Sequence, residues 1–457
     1  KDGVLDFFAS RQYGRFGYLD SCEQDSLYKG LGDGKFENVT EGSGLETVAS
    51  DDDSLAAGTN HRPAWGVTAC DVDGNGYPDI MVTNYGRSFN SFYRNKGDGT
   101  FEDLSLWSNF ASDDNEDYSD DQFFRCYCAE DDNKDTDYCK DAPSPSIMCS
   151  QYSWSPGFSD QPHRLGGNSA GTLCADFTGN GKMDLFSLEL AHWHIGGASD
   201  KSQLMLNNNF PEEPFERIDE KESGITRPRS GSWDDGDMGG LAADFDNDGR
   251  MDIYIMSSDY PGTTSLLYQQ QNDGKFKEVV QNSGSLVERA HGGAFVDIDR
   301  DGDYDLIVGV SFMRWGSDTS DYSKRPEKQW IRVFKNETGQ DSNRVMIDLV
   351  GAGKKGMSNS KAIGAKITVK AGGKEFVREV QSSYGLMGFQ NDLFQIIGIG
   401  DICEVDEVEI RWPDKNGTVT KYENVYANYV LRIHEEDGLS HHTLEDYFDK
   451  NSVEEGE

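Results

Sequence analysis

The chain has 457 residues, enough for two or three domains or for one large repeat array with an appendage. Its 82 acidic and 43 basic residues give a formal net charge of −39, which disfavours nucleic acid and anionic membranes and favours divalent cations or basic partners. No apolar run reaches the roughly 18 residues that a transmembrane helix needs, so we predict no transmembrane segment.

The chain begins with a partial acidic motif, KDGVLDFF. Asp2, Gly3 and Asp6 correspond to positions 5, 6 and 9 of a motif that is complete further along the chain. Residues upstream of Lys1, or another strand, would have to supply positions 1 and 3. We predict a truncated calcium loop here, in a blade whose exposed strand edge invites pairing.

The complete motif first occurs in the stretch DVDGNGYPD, residues 71–79, which crowds oxygen-bearing side chains around a glycine. Carboxylates so close together favour a hard cation, and calcium takes six to eight oxygen ligands. Positions 1, 3, 5 and 9 offer side chains, position 7 offers a backbone carbonyl, and the glycine at position 6 permits the sharp turn. The missing glutamate at position 12 and the lack of helical flanks exclude an EF-hand.

This spacing occurs four times, which predicts four complete calcium loops. The loop at Asp176 is the weakest, because it has threonine at position 3 and two carboxylates. The predicted ligand positions are Asp71, Asp73, Asn75, Tyr77 and Asp79; Asp176, Thr178, Asn180, Lys182 and Asp184; Asp244, Asp246, Asp248, Arg250 and Asp252; and Asp297, Asp299, Asp301, Asp303 and Asp305.

A larger repeat surrounds each loop. A glycine lies five residues before each first aspartate, and a β-rich run and a hairpin follow each loop; the glycines are Gly66, Gly171, Gly239 and Gly292. A unit of roughly 50 to 70 residues cannot bury a core alone, so such units stack or close into a ring. We predict an all-β fold over residues 1–340, a β-propeller of about five to seven four-stranded blades, with the glycines in its crowded centre.

An insertion interrupts the repeat at residues 108–165. It is acidic and holds Cys126, Cys128, Cys139 and Cys149, for which we predict local disulfides; it could also conceal a divergent blade. The eight cysteines are even in number and lack zinc-site spacing. N-glycosylation sequons occur at three asparagines: Asn38, Asn336 and Asn416. Together with the calcium loops, these features indicate a secreted protein in an oxidising, extracellular setting.

The repeated D-x-D-x-D-G-x-x-D, with DGTF and FEDL, resembles the FG-GAP/VCBS repeats of integrin-type propellers over residues 1 to about 340. Residues 343–434, with AIGAKITVKAGG and EIRWPDKNGT, are similar to the ASPIC/UnbV domain that follows such repeats in cartilage acidic protein-like proteins. GFQ replaces the more usual serine–glutamine. The alternation in AKITVKA and EVEIRW independently predicts strands. The acidic tail, residues 435–457, has a plausible short helix, but we expect a frayed terminus.

Three patterns could indicate catalysis, and each has a plainer explanation. GNSAG, residues 167–171, matches the nucleophile-elbow pattern around Ser169, but Gly171 begins a repeat strand rather than a helix. His192 and His194 share a strand face and could bind a transition metal, although loop-end residues beside a tryptophan are the simpler interpretation. His441 and His442 lie in the tail. The loop carboxylates are accounted for by calcium, so we predict no enzyme.

The resemblance implies a secreted calcium-binding glycoprotein that acts in adhesion, matrix or cell-surface structure, with extracellular proteins or glycans as partners. The chain's own C-terminal part or a neighbouring copy would close the truncated blade, and the second arrangement would grow a filament. A lectin is the main alternative, resting on four tryptophans: Trp65, Trp107, Trp154 and Trp233. An extracellular enzyme with a site at the insertion or the central channel is the other.

Overall fold

The computed structural model describes the chain except for residues 114, 153, 158, 161–165, 228–233, 259–262, 312–330 and 449–457. Short antiparallel strands dominate the described residues, and they form consecutive sheets along the chain. The predicted all-β, propeller-like fold with a C-terminal β domain is therefore confirmed.

Five sheets make up the N-terminal part. The first contains β1 (Phe7–Ala9), β2 (Ser26–Gly32) and β3 (Lys35–Asn38). The second contains β4 (Ala64–Cys70), β5 (Asp79–Asn84), β6 (Ser91–Asn95) and β7 (Phe101–Asp103). The third contains β8 (Ser169–Ala175), β9 (Asp184–His192), β10 (Leu204–Leu206) and β11 (Glu216–Ile218), and β12 (Asp234–Gly236) pairs with the end of β9. The fourth contains β13 (Gly239–Ala243), β14 (Asp252–Met256), β15 (Leu266–Gln270) and β16 (Phe276–Glu278). The fifth contains β17 (Ala290–Val296), β18 (Asp305–Val310) and β19 (Ile331–Phe334).

The blade number lies within the predicted range, but the first and fifth sheets depart from the expected four strands. In the described residues each has three. In the first sheet the missing member is the inner strand, because β1 follows Asp6 as β5 starts at Asp79, the last position of its loop. In the described residues this sheet thus begins at the position of the second strand of the other blades.

Neighbouring blades share continuous hydrophobic cores. Every residue of β5 and β14 is buried, as expected for strands covered on both faces. Leu173 and Phe186 of the third sheet pack in one cluster with Ile253 and Tyr268 of the fourth. A disulfide between Cys70 of β4 and Cys174 of β8 ties the second and third blades together.

Helices are few and short: α1 (Asp52–Ala57), α2 (Gln122–Cys128), α3 (Glu220–Ser223) and α4 (Val280–Ser283), with 3-10 turns at Leu19–Ser21, Cys149–Gln151 and Leu386–Gly388. Asp51 caps α1, since its side chain accepts a hydrogen bond from Ser54 N at 2.7 Å. In the part of the chain that the structure describes, no helix is long and apolar enough to cross a membrane.

The insertion is a small disulfide-linked subdomain rather than a hidden blade. Its described residues contain α2 but no strand. The predicted local disulfides are confirmed as Cys126–Cys149 and Cys128–Cys139, around a core that includes Phe124 and Trp154. The even cysteine count was misleading, because Cys22 and Cys403 are free thiols.

Two packed sheets form the C-terminal domain. Its strands are β20 (Asn343–Val350), β21 (Lys366–Ala371), β22 (Lys374–Glu379), β23 (Gln395–Gly400), β24 (Glu404–Arg411), β25 (Val419–Tyr426), β26 (Val430–His434) and β27 (Gly438–His442). The orders are β23-β20-β26-β27 and β22-β21-β24-β25. Alternate residues such as Val345, Ile367 and Val408 face the core between the sheets, as the period-2 pattern predicts.

The expected frayed tail is wrong for residues 438–448. β27 pairs antiparallel with β26, so His441 and His442 are strand residues. Residues 444–448 form a helical turn, and the Tyr447 hydroxyl donates to Asp348 Oδ2 at 2.8 Å. The β domain therefore extends past the predicted boundary at residue 434, and residues 449–457 of the tail lie outside the described residues.

One loop of the C-terminal domain, residues 381–392, reaches the inner strands of four blades; we call it the axis loop. Gly385 N donates to Thr68 Oγ1 at 3.0 Å, and Gln381 Nε2 donates to Cys174 O at 3.0 Å. Asn391 Nδ2 donates to Ala242 O at 2.9 Å, and Asp392 N donates to Phe295 O at 3.0 Å. These bonds reach β4, β8, β13 and β17 in turn.

The repeat glycines lie where the axis loop meets the inner strands. A Cβ on Gly171 would come within 2.8 Å of Gly385 Cα, and one on Gly66 within 2.8 Å of Leu386 N. A Cβ on Gly292 would lie 3.2 Å from the Phe389 ring, and one on Gly239 would collide with the same ring. The glycines thus admit a loop from another domain, a close approach that any side chain would block.

Candidate metal centres

Each predicted calcium loop connects the inner strand of a blade to its second strand. The loop that starts at Asp71 follows β4, and its last residue, Asp79, begins β5; the other three loops have the same relation to their strands. All four therefore lie at the same ends of successive blades. The strand order places them there, and the local sequence shapes the turn.

The first aspartate of every loop closes the turn by accepting a hydrogen bond from the backbone of the glycine at position 6. The N···O distances are 2.9 Å for Gly76–Asp71, Gly181–Asp176 and Gly249–Asp244, and 3.0 Å for Gly302–Asp297. These glycines have φ of +92°, +84°, +94° and +85°, a region that L side chains rarely adopt. The predicted role of position 6 is thereby explained.

The last aspartate of every loop bridges two strands. One oxygen accepts a bond from the start of the loop, as from Val72 N to Asp79 Oδ2 at 3.1 Å. The other accepts a bond from the end of the third strand or from one of the two residues after it: from Asn95 N, Asn207 N, Gln270 N and Asn336 N, each at 2.8 Å. This carboxylate consequently fixes three successive chain segments around the loop.

The third and fourth loops bring three carboxylates together. One oxygen from each of Asp244, Asp246 and Asp252 lies within 4.8 Å of the others, and Asp297, Asp299 and Asp305 form the same arrangement. The pKa of Asp244 is raised to about 7 and that of Asp252 well above its usual range; burial is the main cause in both, and neighbouring aspartates act in the same direction. A hard cation would offset this repulsion, so the oxygen-only donor set fits a divalent metal.

The first loop gives a different kind of evidence for an ion site. Asp71 Oδ1 is buried and has no hydrogen-bond partner among the described residues, whereas Oδ2 accepts bonds from Gly76 N and Arg411. A buried carboxylate oxygen without a donor is costly unless a cation contacts it. Arg94 Nε donates to Asp73 Oδ2 at 2.6 Å and neutralises part of the remaining charge.

The second loop has the fewest charges, as its sequence predicts. Asp176 and Asp184 are its carboxylates, and Thr178 Oγ1 donates to Asp184 Oδ2 at 3.0 Å. Within the described residues it forms no cluster of three acidic groups. Burial nevertheless raises the pKa of Asp184 to about 7, so this carboxylate also gains from a nearby cation.

The side chains at position 7 share no common role, which fits the prediction that this position contributes its main-chain carbonyl. Lys182 Nζ reaches Asn208 O, and the Arg250 guanidinium contacts Asp248. Tyr77 lies under the Lys1 ammonium group, 4.5 Å from its ring centroid. Asp303 is wholly buried, and burial together with Asp301 raises its pKa to about 8.

Asp6 of the N-terminal half-loop has the geometry of a last loop position. Asp6 Oδ1 accepts a hydrogen bond from Gly30 N on β2 at 2.8 Å, the bond that position 9 makes in the complete loops. Asp2 Oδ1 accepts from Val4 N at 3.2 Å, and Lys29 lies 3.6 Å from its carboxylate. The described residues bring no third acidic group to this pair.

Comparison with family models matches both halves of the chain. The FG-GAP-like repeat matches residues 71–119, 176–255 and 244–308, and these segments start at the first aspartates of three loops. The model for ASPIC and UnbV matches residues 355–440. The chain carries FG-GAP-like repeats followed by an ASPIC/UnbV domain. A search of curated proteins returned no match.

The ASPIC/UnbV domain contributes side chains to the four aspartate loops, which the sequence did not reveal. Arg411 contacts Asp71, and its Nη1 donates to Gly74 O at 2.8 Å. Lys366 Nζ donates to Gly181 O at 3.0 Å, Arg378 Nη2 lies 3.8 Å from Asp244 Oδ2, and Arg344 donates to Asp301 O. Arg411 belongs to the EIRW stretch, but its partner is 340 residues away, so no local pattern could have paired them.

Ser169 and the two histidines of the HWH stretch lie in or just after strands of the third blade. Ser169 is fully buried in β8, and its hydroxyl group lies 2.7 Å from Glu189 Oε2, to which it donates. His192 ends β9, and its ring stacks on His194 with the centroids 5.3 Å apart. His192 lies opposite Asp234 where β9 pairs with β12.

The tryptophans and sequons divide into accessible and inaccessible sites. Trp107 is 44% exposed, whereas Trp154 is buried in the insertion, Trp65 is half-buried, and Trp233 lies outside the described residues. Asn38 and Asn416 are exposed. Asn336 differs, because its amide nitrogen donates to Phe245 O at 2.6 Å and Tyr304 O at 3.2 Å, and a glycan would replace one of these two N–H donors.

Proposed function

We propose that the protein is a secreted, calcium-binding glycoprotein that acts as a non-enzymatic adhesion, matrix or cell-surface structural module. Four loops of one geometry, with buried carboxylates in each, are the observation that carries this proposal. The residues that would hold the ions are the side-chain oxygens at positions 1, 3, 5 and 9 of each loop, with the carbonyl at position 7. The ion's role would be structural.

The chain's own residues explain why an ion would stabilise the fold. Each loop holds the turn between two strands, and its last aspartate also binds the third segment, as Asp252 does at Gln270 N. Burial favours the protonated form of these carboxyl groups, and protonation weakens the hydrogen bonds that the charged carboxylates accept. Bound calcium supplies two positive charges there, and because it binds the folded state, it stabilises that state by mass action.

Several observations support an extracellular location and a binding role. The three disulfides need an oxidising compartment, and exposed sequons at Asn38 and Asn416 are compatible with N-glycosylation. The net charge of −39 favours basic extracellular proteins or glycans as partners over nucleic acid. The burial of Ser169 supports a non-enzymatic role.

Equilibrium dialysis against calcium, followed by metal analysis, tests the proposal. We expect four ions for each chain, and one fewer after Asp252→Asn. Asp137→Asn is the matched control, because the Asp137 side chain on the insertion is fully exposed. Binding of no more than one ion by the native chain, or an equal loss in both variants, would contradict the calcium role.

Self-assembly is a further part of this proposal, and the first sheet supports it. Among the described strands β1 pairs with β2 alone, so its other edge is open. Phe7 and Phe36 on this sheet are 43% and 49% exposed and lie edge to face, with centroids 4.8 Å apart. We expect head-to-tail polymers by light scattering and electron microscopy, which Phe7→Ser with Phe36→Ser abolishes. A strictly monomeric native protein would contradict this part alone.

A lectin is the alternative that one observation favours. The Trp107 ring is exposed on the insertion side of the second blade, and exposed aromatic rings can stack on sugar rings. A glycan array compares the native protein with Trp107→Ala. Binding that the variant loses would favour the lectin; no binding by the native protein would end it.

A further inference from the structure

The four calcium loops share one more feature, which comes from the other domain. Each loop contacts one basic side chain of the ASPIC/UnbV domain; we call Arg344, Lys366, Arg378 and Arg411 the basic ring. Arg411, Lys366 and Arg344 each donate to a backbone carbonyl of their loop. Arg411 and Arg378 also contact the first aspartate of theirs. One domain therefore touches every candidate metal centre of the other.

At the first loop, the two carboxylate oxygens of Asp71 have different surroundings. Its Oδ2 is held by Gly76 N and by Arg411, and its backbone N donates to Glu379 Oε2 at 3.0 Å. Its Oδ1 is buried and has no hydrogen-bond partner within the described part of the chain. The ASPIC/UnbV domain thus fixes the orientation of a carboxylate whose second oxygen remains available.

At the third loop the backbone of the other domain also holds the first aspartate, although here both oxygens are bonded, since Asp244 Oδ1 accepts from Asp248 N at 3.0 Å. Asp244 Oδ2 accepts from Gly249 N at 2.9 Å within the loop and from Gly398 N of β23 at 3.0 Å. Arg378 adds a positive charge 3.8 Å from the same oxygen. In both loops the first ligand position is thus held by the repeat on one side and by the ASPIC/UnbV domain on the other.

We propose that the ASPIC/UnbV domain completes the calcium sites by orienting their first ligands, so that calcium binding and docking of this domain are coupled. This inference rests on the proposed calcium binding. Groups that hydrogen-bond a metal ligand from behind fix its orientation, and their loss typically lowers metal affinity about 10- to 100-fold. Coupling is reciprocal, so calcium in turn tightens the docking of the domain.

The direction in which calcium affinity changes when Arg411 is replaced distinguishes this role from two simpler ones. If Arg411 acted as a charge alone, its removal would make the site more negative and strengthen calcium binding. If it held the domains together without influencing Asp71, calcium affinity would stay unchanged. Orientation of Asp71 predicts weaker binding.

Calorimetric titration with calcium chloride tests this on the full chain. Asp79→Asn removes the last ligand of the first loop and identifies that loop's share of the binding. We expect Arg411→Gln to lower the calcium affinity of the first loop about tenfold. Arg411→Lys keeps the charge but loses the contact with both Asp71 and Gly74, so it should lower this affinity less. Lys421→Gln is the control, because Lys421 lies on the edge strand β25 and pairs with Glu407 and Glu409 of β24. Circular dichroism establishes that each variant is folded.

Two outcomes overturn different statements. If Asp79→Asn binds as many ions as the native chain, the proposed calcium function fails at this loop, and the inference falls with it. If Asp79→Asn loses one ion while Arg411→Gln binds calcium unchanged or more tightly, the inference alone is wrong.

Hydrogen exchange of the axis loop tests the reciprocal effect. Gly385 N and Asp392 N donate to Thr68 and Phe295 of the propeller, so docking protects both amides. We expect calcium removal to speed their exchange at least tenfold relative to core amides of β21 and β24. Equal exchange with and without calcium would overturn the coupling.

Discussion

In calcium-free buffer, the free energy of unfolding should fall as the pH rises from about 4.5 to 7. The physical cause is clearest at Asp244, which is 1% exposed and whose pKa burial raises from 3.8 to about 7. In this range the folded protein keeps a proton on Asp244 that the unfolded chain has lost. Stability decreases with pH wherever the folded state binds more protons.

The magnitude follows from the difference between the two pKa values. About three pH units at 1.36 kcal/mol each give ~4 kcal/mol for Asp244 between the unfolded and folded pKa. Asp184, whose pKa is also about 7, should contribute in the same direction. We expect saturating calcium to remove this loss, because the proposed ion would bind the carboxylates in their charged form.

Urea unfolding followed by tryptophan fluorescence at a series of pH values measures the effect. Asp244→Asn should flatten the slope of stability against pH, whatever it does to absolute stability. Asp137→Asn removes an equal charge from an exposed site and should leave the slope unchanged, which separates local burial from general repulsion. Stability that rises between pH 4.5 and 7, or equal slopes in both variants, would refute the reasoning.

Three further predictions concern docking, the inter-blade disulfide and glycosylation. Leu386→Ala removes a buried axis-loop side chain and should destabilise the protein by about 2–5 kcal/mol in urea unfolding; a change below ~0.5 kcal/mol would show that the loop does not anchor the domain. Replacing Cys70 and Cys174 by alanine opens a link that spans 104 residues and should cost up to ~5 kcal/mol by the same assay, whereas unchanged stability would show that the link restricts the unfolded chain little. Glycopeptide mass spectrometry should find a glycan on Asn38 and none on Asn336, and the reverse pattern would contradict the hydrogen bonding described for Asn336.

The loops and blades could be predicted from sequence because their signals are local. The spacing from Asp71 to Asp79, or from Asp244 to Asp252, dictates the turn through contacts within nine residues. Hydrophobic runs after each loop likewise indicate the second strand. These features need no knowledge of the rest of the chain.

The remaining features depend on contacts between distant residues. β27 is short and polar, and pairing with β26 stabilises it although its own pattern does not predict a strand. The repeat glycines indicated a crowded centre, but a loop more than 200 residues beyond Gly171 is what fills it. The free thiols of Cys22 and Cys403 likewise follow from spatial separation, which a count of cysteines does not contain.

Thermal unfolding with saturating calcium and with a chelator tests the central claim most directly, namely that ions in the aspartate loops hold the propeller together. Each site saturated at 100 times its dissociation constant adds about 2.7 kcal/mol, so four sites predict a large rise in melting temperature, which Asp252→Asn reduces. Equal melting temperatures with calcium and with chelator would contradict the account.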